Sequence, residues 1–135
     1  MKALIDANVL LDVLQKKKPY FHDSSLILKL CEIDSIEGYV SSLTIANLIY
    51  VMRKELNPEK IEEVLRQLRL IVQLTDLRVS DITDAAEMKW KDFEDAVQST
   101  IAERIHADCI ITRNVAGFKG SRIIALTPAE YLARI

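Results

Sequence analysis

The amino-acid sequence predicts an α/β fold, a three-layer α/β/α sandwich with a central parallel sheet. Two observations lead to this prediction. Short apolar runs alternate along the whole chain with longer segments whose apolar residues recur three and four positions apart, as strands and helices do. Strands that alternate with helices in this way usually form a parallel sheet with helices on both faces. The 135 residues, half of them hydrophobic, suffice for a single domain spanning residues 1–135.

Each element expected in the first half of the chain has a local signal. An apolar run that ends at Asp6 predicts a buried strand, and two amphipathic helices follow, separated by a break at three lysines and Pro19. After a second short strand comes a helix that is apolar nearly all round, which we expect to be buried. The next helix begins at Asn57 and Pro58. These elements are expected at residues 2–5, 7–15, 24–36, 38–42, 43–56 and 57–72.

The second half of the chain continues the alternation. A strand is followed by a helix that Asp81 is expected to cap, and Asp92 opens the next helix, whose apolar residues lie four apart. Thr127 and Glu130, with Pro128 between them, form a capping box that predicts the last helix. Strands are expected at residues 74–79, 109–112 and 122–125, and helical segments at 81–90, 92–105, 114–118 and from residue 127.

The composition excludes several kinds of catalytic site. The three glycines, Gly38, Gly117 and Gly120, cannot form a glycine-rich phosphate-binding loop. Two cysteines and two histidines lack the paired spacing of a zinc site, and a Ser-His-Asp triad would have only two possible bases. Carboxylates, in contrast, are abundant, with 20 Asp and Glu in the chain. Enzymatic chemistry in this chain is therefore expected to depend on carboxylates.

Bulk properties suggest the compartment and the partners. The two cysteines lie in apolar stretches, as reduced core residues of a cytoplasmic protein do, and no apolar stretch is long enough to span a membrane. A net charge of −2 argues against wrapping of nucleic acid by the whole surface but allows a local basic rim. Such a rim would consist of Lys16, Lys17, Lys18, Arg113, Lys119 and Arg122, unless these residues are only solvated.

Acidic and amide side chains cluster around the expected strand ends. Asp6 follows the first strand, Asn47 lies in the helix after the second, and Asn114 follows the fourth. Asp92 and Asp95 start the helix before the fourth strand. Because ligands bind at the carboxyl ends of parallel strands, these side chains predict one crevice. Hard oxygen ligands without sulfur or imidazole suit Mg²⁺ or Mn²⁺, which would activate water for phosphodiester hydrolysis.

Four motifs of the chain resemble the PIN-domain family. They are Leu4-Ile-Asp-Ala-Asn-Val-Leu-Leu11, Ser41-Ser-Leu-Thr-Ile-Ala-Asn-Leu48, Asp92-Phe-Glu-Asp-Ala96 and Cys109-Ile-Ile-Thr-Arg-Asn-Val-Ala-Gly-Phe118. The motifs occur in the family's order over nearly the whole chain. The resemblance implies a parallel α/β/α sandwich and Mg²⁺- or Mn²⁺-dependent cleavage of RNA. It also implies an antitoxin partner, since many bacterial members are VapC-type toxins.

The resemblance assigns roles to individual residues. Asp6 and Asp95 fall on two of the family's four acidic positions and are the expected metal ligands, with Asp92 as a helper. The other two acidic positions fall on Asn47 and Asn114, whose amides bring no charge. The expected catalytic set therefore has about three negative charges, which is enough for one cation and too few for two.

Other assignments and other functions stay open. Thr112 and Arg113 are expected to contact RNA, although Thr112 also suits a hydrogen bond to a site carboxylate. The aspartates have a second interpretation as ordinary helix caps. The helices between residues 43 and 73 are expected to form a hairpin that provides either core packing or a homodimer or antitoxin surface.

Two functions compete with a ribonuclease. The first is a PIN-like module that binds RNA or a protein partner without cutting, which the missing charges at Asn47 and Asn114 favour. The second is a receiver-type phosphoacceptor domain, which also alternates strands and helices but needs paired acids after its first strand. A lone Asp6 stands there in this chain, which disfavours the receiver.

Overall fold

The computed structural model describes residues 1–135 and contains five strands in one sheet. All neighbouring strands are parallel, and their order is β3-β2-β1-β4-β5. Helices cover both faces, so the predicted three-layer α/β/α sandwich is confirmed. The strands are β1 (Lys2–Ile5), β2 (Glu37–Ser41), β3 (Gln73–Thr75), β4 (Cys109–Ile111) and β5 (Ala125–Leu126).

Seven α-helices connect and flank the strands, and several begin at the predicted caps. Asn57 accepts a hydrogen bond from the backbone N–H of Lys60, and Thr127 and Glu130 form the predicted reciprocal capping box. None of the helices has the length and apolar character needed to cross a bilayer. The helices are α1 (Ala7–Leu14), α2 (Phe21–Glu32), α3 (Ser42–Val51), α4 (Pro58–Ile71), α5 (Val79–Met88), α6 (Phe93–Arg104) and α7 (Pro128–Leu132), with a 3₁₀ helix at Val115–Phe118.

The sheet separates two hydrophobic cores. Successive side chains of a strand point to opposite faces, so in β1 the residues Ala3 and Ile5 pack with α1, α2, α4 and α7, whereas Leu4 packs with α5 and α6. Strand β4 alternates in the same way. The two free cysteines, Cys31 and Cys109, are buried in the first core, as predicted.

The order of the strands determines where a ligand can bind. The chain runs outward from β1 through β2 to β3 and then returns to the other side of β1 to form β4 and β5. The strand order therefore reverses between β1 and β4, and ligands of open α/β sheets bind at the carboxyl end of such a switch point. Receiver-type domains have the order 2-1-3-4-5 instead, so the receiver interpretation is wrong.

Several predicted boundaries are wrong. Helix α2 spans Phe21–Glu32 and not 24–36, because Asp34 adopts a left-handed conformation after it. Strand β3 is confined to Gln73–Thr75, because it pairs only with β2. Helix α5 starts at Val79, before Asp81. Asp81 is therefore not the cap itself, and its carboxylate accepts from the N–H of the cap residue, Arg78. Strand β5 is Ala125–Leu126 and not 122–125, because only these residues pair in register with β4.

Helix α3 is neither as long nor as buried as predicted. It ends at Val51 because Arg53 turns back, donates to the carbonyl of Tyr50 and lies over its ring. The side chains of Tyr50 and Val51 are 65% and 50% exposed. The predicted hairpin is also wrong, since α3 packs mainly against α1, and α4 against α2. The apolar residues of α3 thus serve two purposes, because one face packs on the domain and the other meets solvent.

Candidate active site

The switch point brings the ends of β1 and β4 together through two polar side chains. The register pairs Ile5 with Ile111, so the next residues, Asp6 and Thr112, lie side by side. The Thr112 hydroxyl donates to Asp6 Oδ2 at 2.8 Å, and the N–H of Ala7 donates to Oδ1 at 2.8 Å. Burial raises the pKa of Asp6, while these hydrogen bonds and Gln98 act in the opposite direction. Asp6 is thus a buried, oriented carboxylate that also caps α1.

Thr112 is a positioning residue in this structure. Its side chain is fully buried, and its hydroxyl oxygen also accepts from Asn8 Nδ2 at 3.2 Å and from the N–H of Asn114 at 3.0 Å. A direct contact of Thr112 with RNA, one of its two predicted roles, does not fit this burial. The hydrogen bond to Asp6 matches the other predicted role. Asn8, which the sequence did not single out, completes the arrangement by accepting from the N–H of Arg113 at 3.1 Å.

The first turn of α6 supplies three further carboxylates. Asp92 accepts from the N–H of Asp95 at 3.0 Å and is therefore the helix cap that the alternative interpretation expected. Partial burial, together with the charges of Asp92, Asp6 and Glu94, raises the pKa of Asp95 to about 7. Asp92 and Asp95 line the same cleft, and Gln98, one turn after Asp95 on α6, lies close enough to Asp6 to lower its pKa. The structure therefore brings the predicted Asp6, Asp92 and Asp95 to one place.

Glu94 is a fourth carboxylate of this cluster, and the sequence analysis did not include it. Burial, Asp6 and Asp92 raise its pKa, while a 2.6 Å hydrogen bond from Asn47 Nδ2 to Glu94 Oε1 lowers it. The side chain of Asn47 therefore reaches the cluster through its hydrogen bond to Glu94. The motif Asp92-Phe-Glu-Asp-Ala96 contained the signal, since it has three acidic residues within one turn.

Asn114 and Gly117 close the cluster on the side of β4. Asn114 Nδ2 donates to Asp95 Oδ2 at 3.3 Å, and its side chain does not cap the 3₁₀ helix. A Cβ at Gly117 would overlap both Asp95 Oδ2 and Asn114 Nδ2. A residue with a Cβ at this position would require the side chain of Asp95 or Asn114 to shift, so glycine allows the 3₁₀ helix to lie this close to the carboxylate. Gly117 was missed as a site residue because its role depends on this approach.

Gln98 fixes the position of α6, the helix that carries Glu94 and Asp95. This buried side chain accepts from the hydroxyl of Ser41 at 2.7 Å and donates to that of Thr44 at 2.8 Å. The contacts fix α6 to the end of β2 and the start of α3. They therefore set the position of the carboxylates on α6 relative to Asn47 on α3.

Arg113 faces away from the acidic cluster. Its Nε donates to Asp12 Oδ2 at 2.9 Å, and its guanidinium lies 4.0 Å from the centre of the Tyr20 ring. It lines a separate cavity of about 420 Å³ that none of the four clustered carboxylates lines. The predicted contact of Arg113 with RNA at the carboxylates does not fit this placement. Asp12, fully buried and also bound by Ser24, was missed.

The predicted basic rim is dispersed. Arg122 pairs with Glu103 at 3.1 Å, and Lys16, Lys17 and Lys18 lie in the exposed segment between α1 and α2. Only Lys119 of the predicted rim lines a cavity together with Asp95. No lysine or arginine forms an ion pair with any of the four clustered carboxylates.

The residues present fit a hard divalent cation in their chemistry. The cluster offers only oxygen donors, and its negative charge is not neutralised by any basic side chain, so a cation would relieve the repulsion. No three acidic, histidine or cysteine side chains converge closely enough to share one ion. Mg²⁺ commonly takes only one or two carboxylates and completes its shell with water and substrate phosphate, so two carboxylates such as Asp6 and Asp95 would be sufficient in number.

Comparison with known proteins gives a consistent picture. A family model described as the PIN domain matches residues 2–116, and no curated protein sequence matches the chain significantly. A toxin-antitoxin complex from Klebsiella pneumoniae is similar at 19% identity and a TM-score of 0.67, over 93% of this chain and 97% of that one. VapBC2 from Rickettsia felis, solved bound to a DNA fragment from its promoter, is similar at 17% identity and 0.66, over 94% and 98%.

A third solved structure is more distant in sequence. VapC20 from Mycobacterium tuberculosis, described as a Sarcin-Ricin loop cleaving toxin, shares 9% identity at a TM-score of 0.63, over 80% of this chain and 86% of that one. At these identities the likeness to solved structures shows that the fold is shared.

Proposed function

Because this chain belongs to the PIN-domain family, we propose that it is an endoribonuclease that depends on Mg²⁺ or Mn²⁺ and acts as the toxin of a toxin–antitoxin pair. The observation that carries the proposal is the cluster of four carboxylates at the switch point of the sheet, none of which forms an ion pair with a basic side chain. RNA is the substrate, and water is the nucleophile that hydrolyses its phosphodiester bond.

Each residue of the cluster has a proposed task. Asp6 and Asp95 would hold the cation, and Thr112 keeps Asp6 in a single orientation. A bound cation polarises the phosphodiester and lowers the pKa of its water. Glu94 supplies the carboxylate that position 47 lacks, held in place by the amide of Asn47. Asn114 orients Asp95 through its own amide.

The direct test is RNA cleavage. We expect single-stranded and structured RNA to be cut in the presence of Mn²⁺, and to stay intact with EDTA or with the Asp6→Asn variant. Asp84→Asn, on the exposed face of α5 and outside the cluster, is the matched control and should cut normally. Cleavage by Asp6→Asn in the presence of EDTA would refute the mechanism.

A second candidate is a PIN-like module that binds RNA or a protein partner without cutting. The absence of three converging ligands, with Asn47 and Asn114 at usually acidic positions, favours it. Calorimetry separates the two candidates, because a nuclease must bind Mn²⁺ while a pure binding module need not. The double change Asn47→Glu with Asn114→Asp should raise Mn²⁺ affinity if both positions face the cation.

The proposed partners are an antitoxin and a second copy of the chain. A similar solved structure is described as a toxin-antitoxin complex, and exposed apolar side chains of α3 and α4, including Tyr50, Val51 and Leu70, offer a surface. We place the activity in the cytoplasm, where cellular RNA is available. Light scattering on the purified chain tests the dimer, and Val51→Asp should dissociate it.

A further inference from the structure

A cleft of about 890 Å³ opens directly beside the carboxylate cluster. Asp92, Asp95, Asn114 and Gly117 form the wall that it shares with the candidate active site. Trp90 and Phe93 contribute aromatic surface, and Lys91 and Lys119 contribute positive charge. The cleft is thus continuous with the reacting centre, yet it has a different chemistry from the centre itself. Its volume lies within the range of small-molecule sites and accommodates a nucleotide.

The two aromatic residues differ in how they are held. Trp90 packs edge-on against Phe118, with ring centroids 6.3 Å apart, and Gly120 lies against its indole, so it forms a fixed wall. Phe93 is the first residue of α6, and 48% of it is exposed. A large apolar ring left in solvent at the edge of a polar cleft is a surface on which a flat ligand can stack.

The two lysines have no partners within the chain. Neither Lys91 nor Lys119 forms an ion pair or a side-chain hydrogen bond, and both are exposed. Their ammonium groups are free to bind anions. Aromatic rings beside unpaired cations are the combination that proteins use to bind single-stranded nucleic acid, where bases stack and phosphates pair with lysine.

We propose that this cleft is a subsite for the nucleotide that flanks the cleaved bond of single-stranded RNA. The base stacks on Phe93, against the wall formed by Trp90, and Lys91 and Lys119 bind the adjacent phosphates. The subsite rests on the proposed ribonuclease function and makes it more specific. It selects unpaired RNA, because the faces of stacked bases in a duplex are not available to a side chain.

The subsite can be tested by binding, independently of cleavage. The probe is a short, end-labelled single-stranded RNA, compared with the same strand carrying abasic riboses, in buffer with Ca²⁺ as the counter-ion. Fluorescence anisotropy gives the affinity, and gel electrophoresis checks that the strand is intact. Trp90 is the only tryptophan of the chain, so quenching of its emission reports on the cleft itself.

Phe93→Ala should weaken binding of the intact strand by roughly five-fold to a hundred-fold, the range expected when a stacking ring is lost. Phe93→Tyr keeps an aromatic ring and should bind the intact strand with the affinity of the wild type. The abasic strand should bind weakly, and with equal affinity, to the wild type and to Phe93→Ala. Leu26→Ala on α2, an exposed apolar residue in the opposite layer of the sandwich, is the matched control and should leave affinity unchanged.

The lysines are tested by salt dependence. The double variant Lys91→Ala with Lys119→Ala should lower the slope of log affinity against log salt by about 1.4, because each lost phosphate contact on a single strand contributes about 0.7. Lys60→Ala on α4 serves as the control. Wild-type affinity for Phe93→Ala, or equal affinity of the wild type for the abasic strand, would overturn the subsite.

The outcome is separable from that of the proposed function. If Mn²⁺-dependent cleavage is found while Phe93→Ala binds normally, the subsite is wrong and the ribonuclease stands. If binding depends on Phe93 and the lysines but no RNA is cut, the subsite is supported and the chain is the binding module instead.

Discussion

Replacing Asp95 by asparagine should stabilise the protein when no divalent cation is present. Partial burial and three neighbouring carboxylates raise the pKa of Asp95 to about 7 from an ordinary value of 3.8. Above pH 7 the ionised side chain therefore destabilises the folded state. Asparagine has nearly the same shape, keeps an oxygen that can accept from Asn114, and brings no charge.

The size and the sign of this change in stability follow from the shift in the pKa of Asp95. A rise from 3.8 to about 7 corresponds to roughly 4 kcal/mol at full ionisation, and partial solvent screening reduces this to about 1–2 kcal/mol. The folded state binds the extra proton between these two pH values, so the wild type loses stability as the pH rises from about 4 to about 7. The variant should match the wild type near pH 4 and exceed it at pH 8.

Urea unfolding at pH 4 and pH 8, in EDTA, measures the difference in the free energy of unfolding between the variant and the wild type. In thermal unfolding at pH 8, the same gain should raise the melting temperature by about 3–8 °C. Asp84→Asn, which removes an exposed carboxylate outside the cluster, should change little at either pH. Added Mn²⁺ should then stabilise the wild type more than the variant. An Asp95→Asn protein that is less stable than the wild type at pH 8, or equally changed at both pH values, would show that the carboxylates do not repel one another as inferred.

Three further changes probe the same site. Thr112→Val removes the buried donor to Asp6 Oδ2 and should cost about 1–3 kcal/mol in urea unfolding, whereas Thr112→Ser should retain most of the stability. Gly117→Ala forces a Cβ into Asp95 and should lower the free energy of unfolding by about 1–3 kcal/mol; a neutral result would mean that the 3₁₀ helix moves freely. Glu94→Gln should reduce Mn²⁺ affinity about ten-fold in calorimetry, an effect of about 1.4 kcal/mol, and unchanged affinity would remove Glu94 from the cation's surroundings.

The main features of the fold could be predicted because each has a local cause. The buried strand that ends at Asp6 and the capping box at Thr127 depend on only a few consecutive residues. The ends of strands β3 and β5 depend on more than the local sequence, because they are set by how far each edge strand pairs with its neighbour. The exposure of Tyr50 likewise depends on where α4 packs, which the apolar pattern of α3 does not contain.

The candidate site divides in the same way. Asp6, Asp95 and Asp92 could be identified because they follow a strand or open a helix. Glu94 was left out although the same motif contains it, because its place in the cluster depends on a hydrogen bond to Asn47, which is 47 positions away.

The position of Asp12 in the sequence could have predicted a buried ion pair. An acidic residue on the apolar face of α1 requires a buried partner, and that partner is Arg113. Which arginine it is becomes clear only when α1 and the segment after β4 come together.

The pairing of β1 with β4 has a consequence for the moment at which the site can exist. Translation produces Asp6 before the rest of the site, and Thr112, which orients it, is made 106 residues later. A nascent chain that has already produced Asn47 and the carboxylates of α6 still lacks β4 beside its central strand. The site therefore stays incomplete while α1 to α6 are made and can assemble only after β4 has left the ribosome.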